Sequence, residues 1–263
     1  MVQKLIEIYV FLFARARFEK LNKLLYRLSL GGLGILNYKT SKVSGEKSFL
    51  EGYLANRSGV LIDVGANQGN YSLDSIRVNQ GLVIYAFEPH PITFSSLAGN
   101  VINHSSIVPI NKGMSAENGV LKLYDYPSKD GSSHASLFQD VITEIHGAGS
   151  AVWHEVELTT LDNFLKSENI SEVILLKIDT EGNEFDVLRG GANAIAQRKI
   201  KAIHFEFNEM NVASRAFFRD FWKTLEGYRF YRLLPNDMLE IKIYSPLSCE
   251  IFAFQNIVAI LKD

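Results

Sequence analysis

The chain predicts an α/β fold, an open and mostly parallel sheet with helices on both faces, and three observations carry that reading. Short β-branched runs alternate with longer amphipathic stretches from Val60 to Phe207. The segment Leu61-Ile62-Asp63-Val64-Gly65-Ala66-Asn67-Gln68-Gly69-Asn70-Tyr71 passes from an apolar strand through a glycine turn into a helix. A second apolar strand, Tyr85-Ala86-Phe87, ends on a carboxylate, Glu88, about twenty residues further on.

Residues 1–45 are expected to form an arm and linker outside the domain, which occupies 46–263. Six basic residues in 1–28 (Lys4, Arg15, Arg17, Lys20, Lys23, Arg27) face Glu7 and Glu19, so this arm carries +4 in a chain of formal net charge -2. Its apolar run from Leu5 to Phe13 is far below the ~20 residues that span a bilayer. Ala14-Arg15-Ala16 mimics a signal cleavage site, but Glu7 in the apolar run and the basic stretch beyond it argue against secretion. The arm therefore reads as a helix docking on the domain or on a second copy, or as a peripheral contact with anionic lipid. Residues 29–45, rich in glycine and small polar residues, read as a linker.

The domain opens with a short helix over Glu46–Asn56. Strands are expected at Val60–Val64, Val83–Phe87 and Ile107–Asn111, with helices near Asn70–Val78 and Pro91–Asn103 between them. The rhythm breaks at about 120–160, where Val120–Tyr124 and Val152–Leu158 alternate like half-exposed antiparallel strands around a long polar loop. A loop of that length in a compact domain reads either as a surface loop of turn residues or as a lid over an acceptor. The pattern resumes with a helix entry at Thr160–Leu165, a doubly buried strand Val173–Ile178, a helix near Glu184–Arg198 and a strand Ala202–Phe207. A helix over 213–226 and a hairpin of Tyr228–Leu233 with Met238–Ile243 close the chain.

The glycine spacing selects the ligand of the first turn. A dinucleotide fingerprint has G-x-G-x-x-G, and Asn67 stands where the second glycine would admit a pyrophosphate. No Lys-Ser or Lys-Thr follows Gly69, so the phosphate-cradling loop of nucleotide triphosphatases is absent too. A nucleoside without phosphates remains, and S-adenosylmethionine fits. The charge balance and the lack of a basic stripe exclude a nucleic-acid groove, and the single Cys249 cannot form an internal disulfide, which suits a reducing, cytoplasmic compartment, with at most a peripheral contact on the inner face of the membrane.

Ligands of such sheets bind outside the carboxyl ends of the strands. Asp63–Asn67, Glu88-Pro89, Asn111–Ser115 and Lys177–Glu184 sit there, as do His204, Glu206 and Asn208 on one side of their strand. Three of these segments, Asp63-Val64-Gly65-Ala66-Asn67-Gln68-Gly69-Asn70-Tyr71-Ser72, Phe87-Glu88-Pro89 and Lys177-Ile178-Asp179-Thr180-Glu181-Gly182-Asn183-Glu184, closely resemble the motifs of the FkbM family of methyltransferases. The resemblance runs from about Val60 to Leu234, with Thr180 where the family commonly has valine. It implies a Rossmann-like, seven-stranded class I methyltransferase fold and S-adenosylmethionine-dependent methylation, often of hydroxyl groups on sugars, glycolipids or natural products. By position it implies a cofactor set of Asp63, Gly65, Asn67 and Gly69 on the methionine side, with Tyr71 in the same motif, Glu88 on the ribose diol, and Met114 with Ser115 near the adenine.

Methyl transfer to an alcohol needs an acceptor in line and a home for its proton. Asp179 and Glu181 are the expected catalytic carboxylates, with Lys177 ion-paired behind them, Glu184 orienting the helix that follows, and His134 in the polar loop as an alternative base. Asp179 could instead cap that helix. His204 reads as an interior, hydrogen-bonded histidine. Asp179, Glu206 and Asn208 offer oxygens of the kind Mg²⁺ accepts, so a divalent metal is a less favoured variant, and no metal ligand is assigned. Two competing readings are a non-catalytic scaffold with this fold and a nicotinamide dehydrogenase, the latter weakened by Asn67.

Overall fold

The first apolar run forms strand β1 (Gly59–Val64), and its four C-terminal residues are buried because helices cover both faces of it. A computed structural model describes residues 1–127, 131–132, 135–145 and 147–262 of the chain. Strands β2 (Leu82–Phe87) and β3 (Ile107–Ile110) follow. Next come β4 (Gly113–Met114), β5 (Gly119–Asp125), β6 (Val152–Thr159), β7 (Val173–Ile178) and β8 (Ala202–Phe207). The hairpin β9 (Tyr228–Leu234) and β10 (Asp237–Ile241) precedes a last strand, β11 (Gln255–Leu261). The main sheet runs β10-β9-β11-β8-β7-β1-β2-β3, while β4-β6-β5 form a separate three-stranded sheet.

From β3 to β8 the main sheet is parallel, and β11 lies antiparallel between β8 and β9. The order reverses between β1 and β7, where the chain crosses from one half to the other, and there a crevice opens at the strand ends. Helices Glu46–Leu54, Asn70–Val78 and Pro91–Val101 pack their buried faces on one side. Helices Leu161–Ser167, Glu184–Gly190 and Phe218–Thr224 pack on the other, around an aromatic cluster in which Phe205 and Phe221 stack at 4.6 Å. Among the described residues no helix is long and apolar enough to cross a membrane.

The structure departs from the sequence reading at five places. The expected seven strands become eight because β10 extends the edge beyond β9. Strand β11 carries no strand expectation at all, yet it completes the core through Ile257, Val258 and Ala259, all with zero exposure. The expected helix over 184–198 divides at Gly190–Gly191, where close neighbours leave no room for side chains: a Cβ on Gly190 would lie 2.1 Å from the Ser115 carbonyl oxygen. The helix expected over 213–226 appears as Met210–Ser214 and Phe218–Thr224, parted at Arg215 with φ 56°.

The fifth departure is the linker. A helix Glu19–Gly32 runs into it, Ile35 is fully buried and pairs with Gln255, and Leu36 N–H donates to the Phe254 carbonyl. Arg232, itself buried and bonded to Gln255 Oε1 at 2.8 Å, reaches the Leu33 carbonyl. Residues 30–36 are thus fastened to β9 and β11 rather than loose.

Gly65 sits where β1 and β7 end side by side. Its φ is +79°, and a Cβ there would fall 1.7 Å from the Asp179 carbonyl oxygen. Replacement by alanine must pay the left-handed backbone penalty and also part the two strand ends. Gly65→Ala is expected to cost at least ~2 kcal/mol, seen calorimetrically as a fall in Tm of at least ~4 °C; an unchanged Tm would mean that this crossing is not tight.

Candidate active site

The strand register lays a polar row across the interior. Asp63 pairs with Lys177, and Lys177 with His204, so three polar side chains lie abreast on one sheet face in an otherwise apolar core. Lys177 is 2% exposed, with its Nζ 3.5 Å from both Glu46 Oε1 and Asp179 Oδ2. Burial alone would lower its pKa, but Asp179, Glu46, Glu206 and Asp63 together raise it, so the ammonium stays charged. His204 accepts or donates through Nδ1 to the Tyr71 hydroxyl and through Nε2 to Asn256 Oδ1, at 3.0 Å each. Burial and the Lys177 charge push its pKa well down, so it is a neutral, satisfied interior group.

Asp63 is 1% exposed and accepts from Ser72 Oγ at 2.7 Å; burial pushes its pKa up to about 6. The turn after it is stitched to the end of β2, since the N–H groups of Gly65 and Ala66 both donate to the Phe87 carbonyl. Asn67, with φ 49°, donates its N–H to Glu88 Oε2 at 2.9 Å, and His90 N–H donates to Oε1 at 2.8 Å. These two bonds aim the Glu88 carboxylate into the crevice, where burial nonetheless raises its pKa to about 7. A carboxylate so poorly solvated, with lone pairs left over, fits a vicinal diol that donates two hydroxyls.

The crevice has two connected parts. One, of about 480 Å³, is lined by Gly65, Asn67, Glu88, Met114, Leu158 and the 179–183 loop. The other runs over Asp63, Asn67, Tyr71, Lys177 and Asp179 beneath helix Glu46–Leu54. Gly69 faces away from both, its Cα packed where a Cβ would meet Leu97 at 2.7 Å, so its part is to make the turn. Ser115 also stands behind the wall: its N–H donates to the Thr159 carbonyl and its hydroxyl to Asn183 Oδ1. Asn183 in turn donates to the Met114 carbonyl at 2.8 Å, fixing Met114 on the wall. Residues Asp63, Gly65, Asn67, Tyr71, Glu88 and Met114 therefore converge on the crevice, and Gly69 and Ser115 support it.

Just past the last paired position, Ile178 with Phe205, Asp179 and Glu206 stand near enough to influence each other's charge, and both line the crevice together with Glu181, Asn208 and Glu209. Asp179 is not a helix cap, because Asn183 holds that position. Glu184 does not orient its own helix alone; it accepts from the N–H and hydroxyl of Thr180 and from Gly182 N–H, holding the 180–182 loop in which Glu181 has φ 52°. Burial, then the neighbouring Asp179, lifts the Glu206 pKa well above the usual carboxylate range. Asn208 Oδ1 accepts from Met210 N–H and its Nδ2 faces Glu206 Oε2 at 3.3 Å, so its oxygen is turned away from Glu206. Among the described residues no group of three His, Cys, Asp or Glu side chains is placed to hold a metal. His134 lies outside the described residues.

Three features of the site had no sequence signal. Glu46 comes from the entry helix, Leu36 and Tyr38 come from the supposed linker, and Phe254 comes from the segment before β11. The 120–160 insertion adds Leu123, Ala135, Leu137 and Leu158 as an apolar wall. Asp125 ties it down by accepting from the N–H groups of Gly131 and Ser132 at 2.8 Å each.

The raised Glu88 pKa has a sign that can be tested. The folded value of about 7 lies above the unfolded 4.5, so the native state holds this proton more tightly. Its contribution to stability is intact below about 4.5 and is lost as pH rises through 7, on the order of 3 kcal/mol in all. Ligand-free protein is therefore expected to lose Tm between pH 5 and 8, and Glu88→Gln to flatten that slope in calorimetric scans; equal slopes would place the carboxylate in contact with bulk water.

The family model described as "Methyltransferase FkbM domain" matches residues 63–230. "Methyltransferase 1" of Beauveria bassiana is 33% identical over 144 residues, covering 49% of this chain and 57% of that one. "Hexuronic acid methyltransferase AglP" of Haloferax volcanii is 29% identical, covering 54% and 53% respectively. "31-O-demethyl-FK506 methyltransferase FkbM" of Streptomyces tacrolimicus is 27% identical, covering 51% and 60%. The chain thus spans between half and two thirds of the length of these relatives. Among solved structures, the precorrin-6y C5,15-methyltransferase of Geobacter metallireducens aligns with 82% of this chain and 87% of that one, at 10% identity and a TM-score of 0.42. With its strand ends, acidic loop and glycine turn all inside the matched region, the chain belongs to the FkbM methyltransferase domain family.

Proposed function

We propose that the chain is an S-adenosylmethionine-dependent methyltransferase acting on a hydroxyl of a neutral, polyoxygenated acceptor such as a sugar, glycan or natural product. The observation that carries the reading is Glu88, a buried carboxylate held by Asn67 and His90 N–H groups and directed at the turn after β1. Bound there, the cofactor supplies a methyl carbon on a sulfonium, ready for in-line displacement by an oxygen nucleophile. Asp63, Asp179 and the carbonyls of the strand ends form an electronegative surround suited to that cation, and Met114 with Leu158 offers apolar contact for a base.

The acceptor end is acidic. Asp179, Glu181, Glu206 and Glu209 share it with Asn183 and Asn208, which favours hydroxyl donors and disfavours an anionic acceptor. Two relatives are named for a hexuronic acid and for 31-O-demethyl-FK506; the neutrality of the acceptor proposed here rests on the acidic lining and not on those names. As a hydroxyl oxygen attacks, its proton must leave for a nearby carboxylate. Glu206 suits that role because its burial beside Asp179 makes it unusually basic, while Asp179, anchored by Lys177, orients the acceptor.

Calorimetry should detect binding of S-adenosylhomocysteine, and thermal shifts should respond to it and not to NAD. Transfer of tritium from labelled cofactor to an acceptor tests turnover; tight product binding without transfer to any hydroxyl compound would favour a scaffold. The wild-type rate is expected to rise with pH through an ionisation above the ordinary carboxylate range. Glu206→Gln should remove that rise and lower kcat ~10²-fold or more while leaving S-adenosylhomocysteine affinity within a few fold. A Gln variant with the wild-type profile would exclude Glu206 as the proton acceptor.

A further inference from the structure

Residues 2–32 form two helices that stand off the sheet. The first, Val2–Phe13, buries none of its residues, and Leu5, Ile8, Val10 and Phe11 are 53–74% exposed. The second, Glu19–Gly32, buries only Leu30. The pair is nonetheless a built unit. Tyr9 donates its hydroxyl to Asn22 Oδ1, Asn22 Nδ2 donates to the Phe13 carbonyl at 3.1 Å, and the Phe13 ring packs on Tyr9 and Phe18 at 5.0 and 5.2 Å.

Charge and apolarity are sorted on the second helix. Leu21, Leu24, Leu25 and Leu28 fall on one stripe by i, i+3, i+4, i+7 spacing, each at least 39% exposed, and Lys20, Lys23 and Arg27 form the adjoining stripe. Arg15 and Arg17 sit at the bend between the helices. With Glu7 and Glu19 counted, the arm is +4. A second copy laid on this surface would set that charge against itself. An anionic bilayer meets both stripes at once, the leucines at the acyl boundary and the cations among the headgroups.

The arm is also firmly joined to the domain. Ile35 N–H donates to the Leu30 carbonyl, Leu36 N–H to the Phe254 carbonyl, and a Cβ on Gly34, φ +81°, would lie 2.5 Å from the Leu233 carbonyl oxygen. Leu36 and Tyr38, immediately beyond, line the crevice. We propose that residues 2–32 lie in the surface of an anionic bilayer and, through this stiff joint, hold the crevice at a set attitude to it.

Flotation of the full chain with vesicles tests this. Vesicles of equal parts phosphatidylcholine and phosphatidylglycerol are expected to carry at least ~10-fold more protein than phosphatidylcholine alone, with binding declining as salt is raised. Two variants, Lys20→Glu/Lys23→Glu/Arg27→Glu and Leu24→Asp/Leu28→Asp, should each abolish flotation while their thermal unfolding stays that of the parent, since none of these side chains enters the core. Failure of the parent to float, equal flotation with both vesicle types, or flotation that survives charge reversal would overturn the proposal. So would a concentration-dependent dimer, seen by light scattering and abolished in the leucine variant, in a parent that does not float.

Discussion

The burial of the Lys177 ammonium constrains the rest of the site. A lone charge at 2% exposure would be prohibitively costly, and what offsets it is a ring of carboxylates drawn from separate elements: Glu46 from the entry helix, Asp63 from β1, Asp179 from the end of β7 and Glu206 from β8. Nζ stands 3.5 Å from two of them and makes no direct hydrogen bond, so the attraction is long and shared. Deleting one partner of a buried pair typically costs 3–5 kcal/mol. The ammonium therefore fixes where four acidic groups can be, and those groups define both halves of the crevice.

Around that charged floor the walls come from distant parts of the chain. The glycine turn and Glu88 are local products of β1 and β2, but the apolar side is assembled from residues 36–38, the small sheet β4-β6-β5 and the Phe254 region. Such a division separates the strand ends, where open α/β sheets place their ligands, from the peripheral segments that shape the rest of the crevice. The Asp125 knot, with three donors from residues 131 and 132, keeps one of those segments in place.

Legibility in the sequence followed the same division. The β1 turn, Glu88 and the 177–184 loop were readable because each is a strand end with its polar residues within a few positions, and period-two and glycine signals act at that range. Lys177 pairing with Asp179 was equally local. Glu46, Leu36 and Tyr38 were not readable, because their meeting with β7 and β11 depends on contacts spanning most of the chain. Strand β11 escaped because its seven residues lie between β8 and β9, a placement set by topology and not by local sequence. The glycine-rich stretch after Ser29 looked like a tether for a good reason: glycine there permits the close approach of Gly34 to β9, which composition alone cannot tell from looseness.

The antiparallel insertion of β11 bears on how the polypeptide matures on the ribosome. Strands β8 and β9, 21 residues apart at their near ends, are not paired with each other; β9 has β10 on one side, and the facing edges of β8 and β9 are joined only by β11, whose first residue is Gln255. Until that strand emerges, a nascent chain displays the unpaired edge of β8, the kind of surface that recruits chaperones or self-associates. The same segment also holds Ile35 and Leu36, so the enclosure around the crevice is finished only when residues 35–36 and 254–255, more than two hundred positions apart, have met.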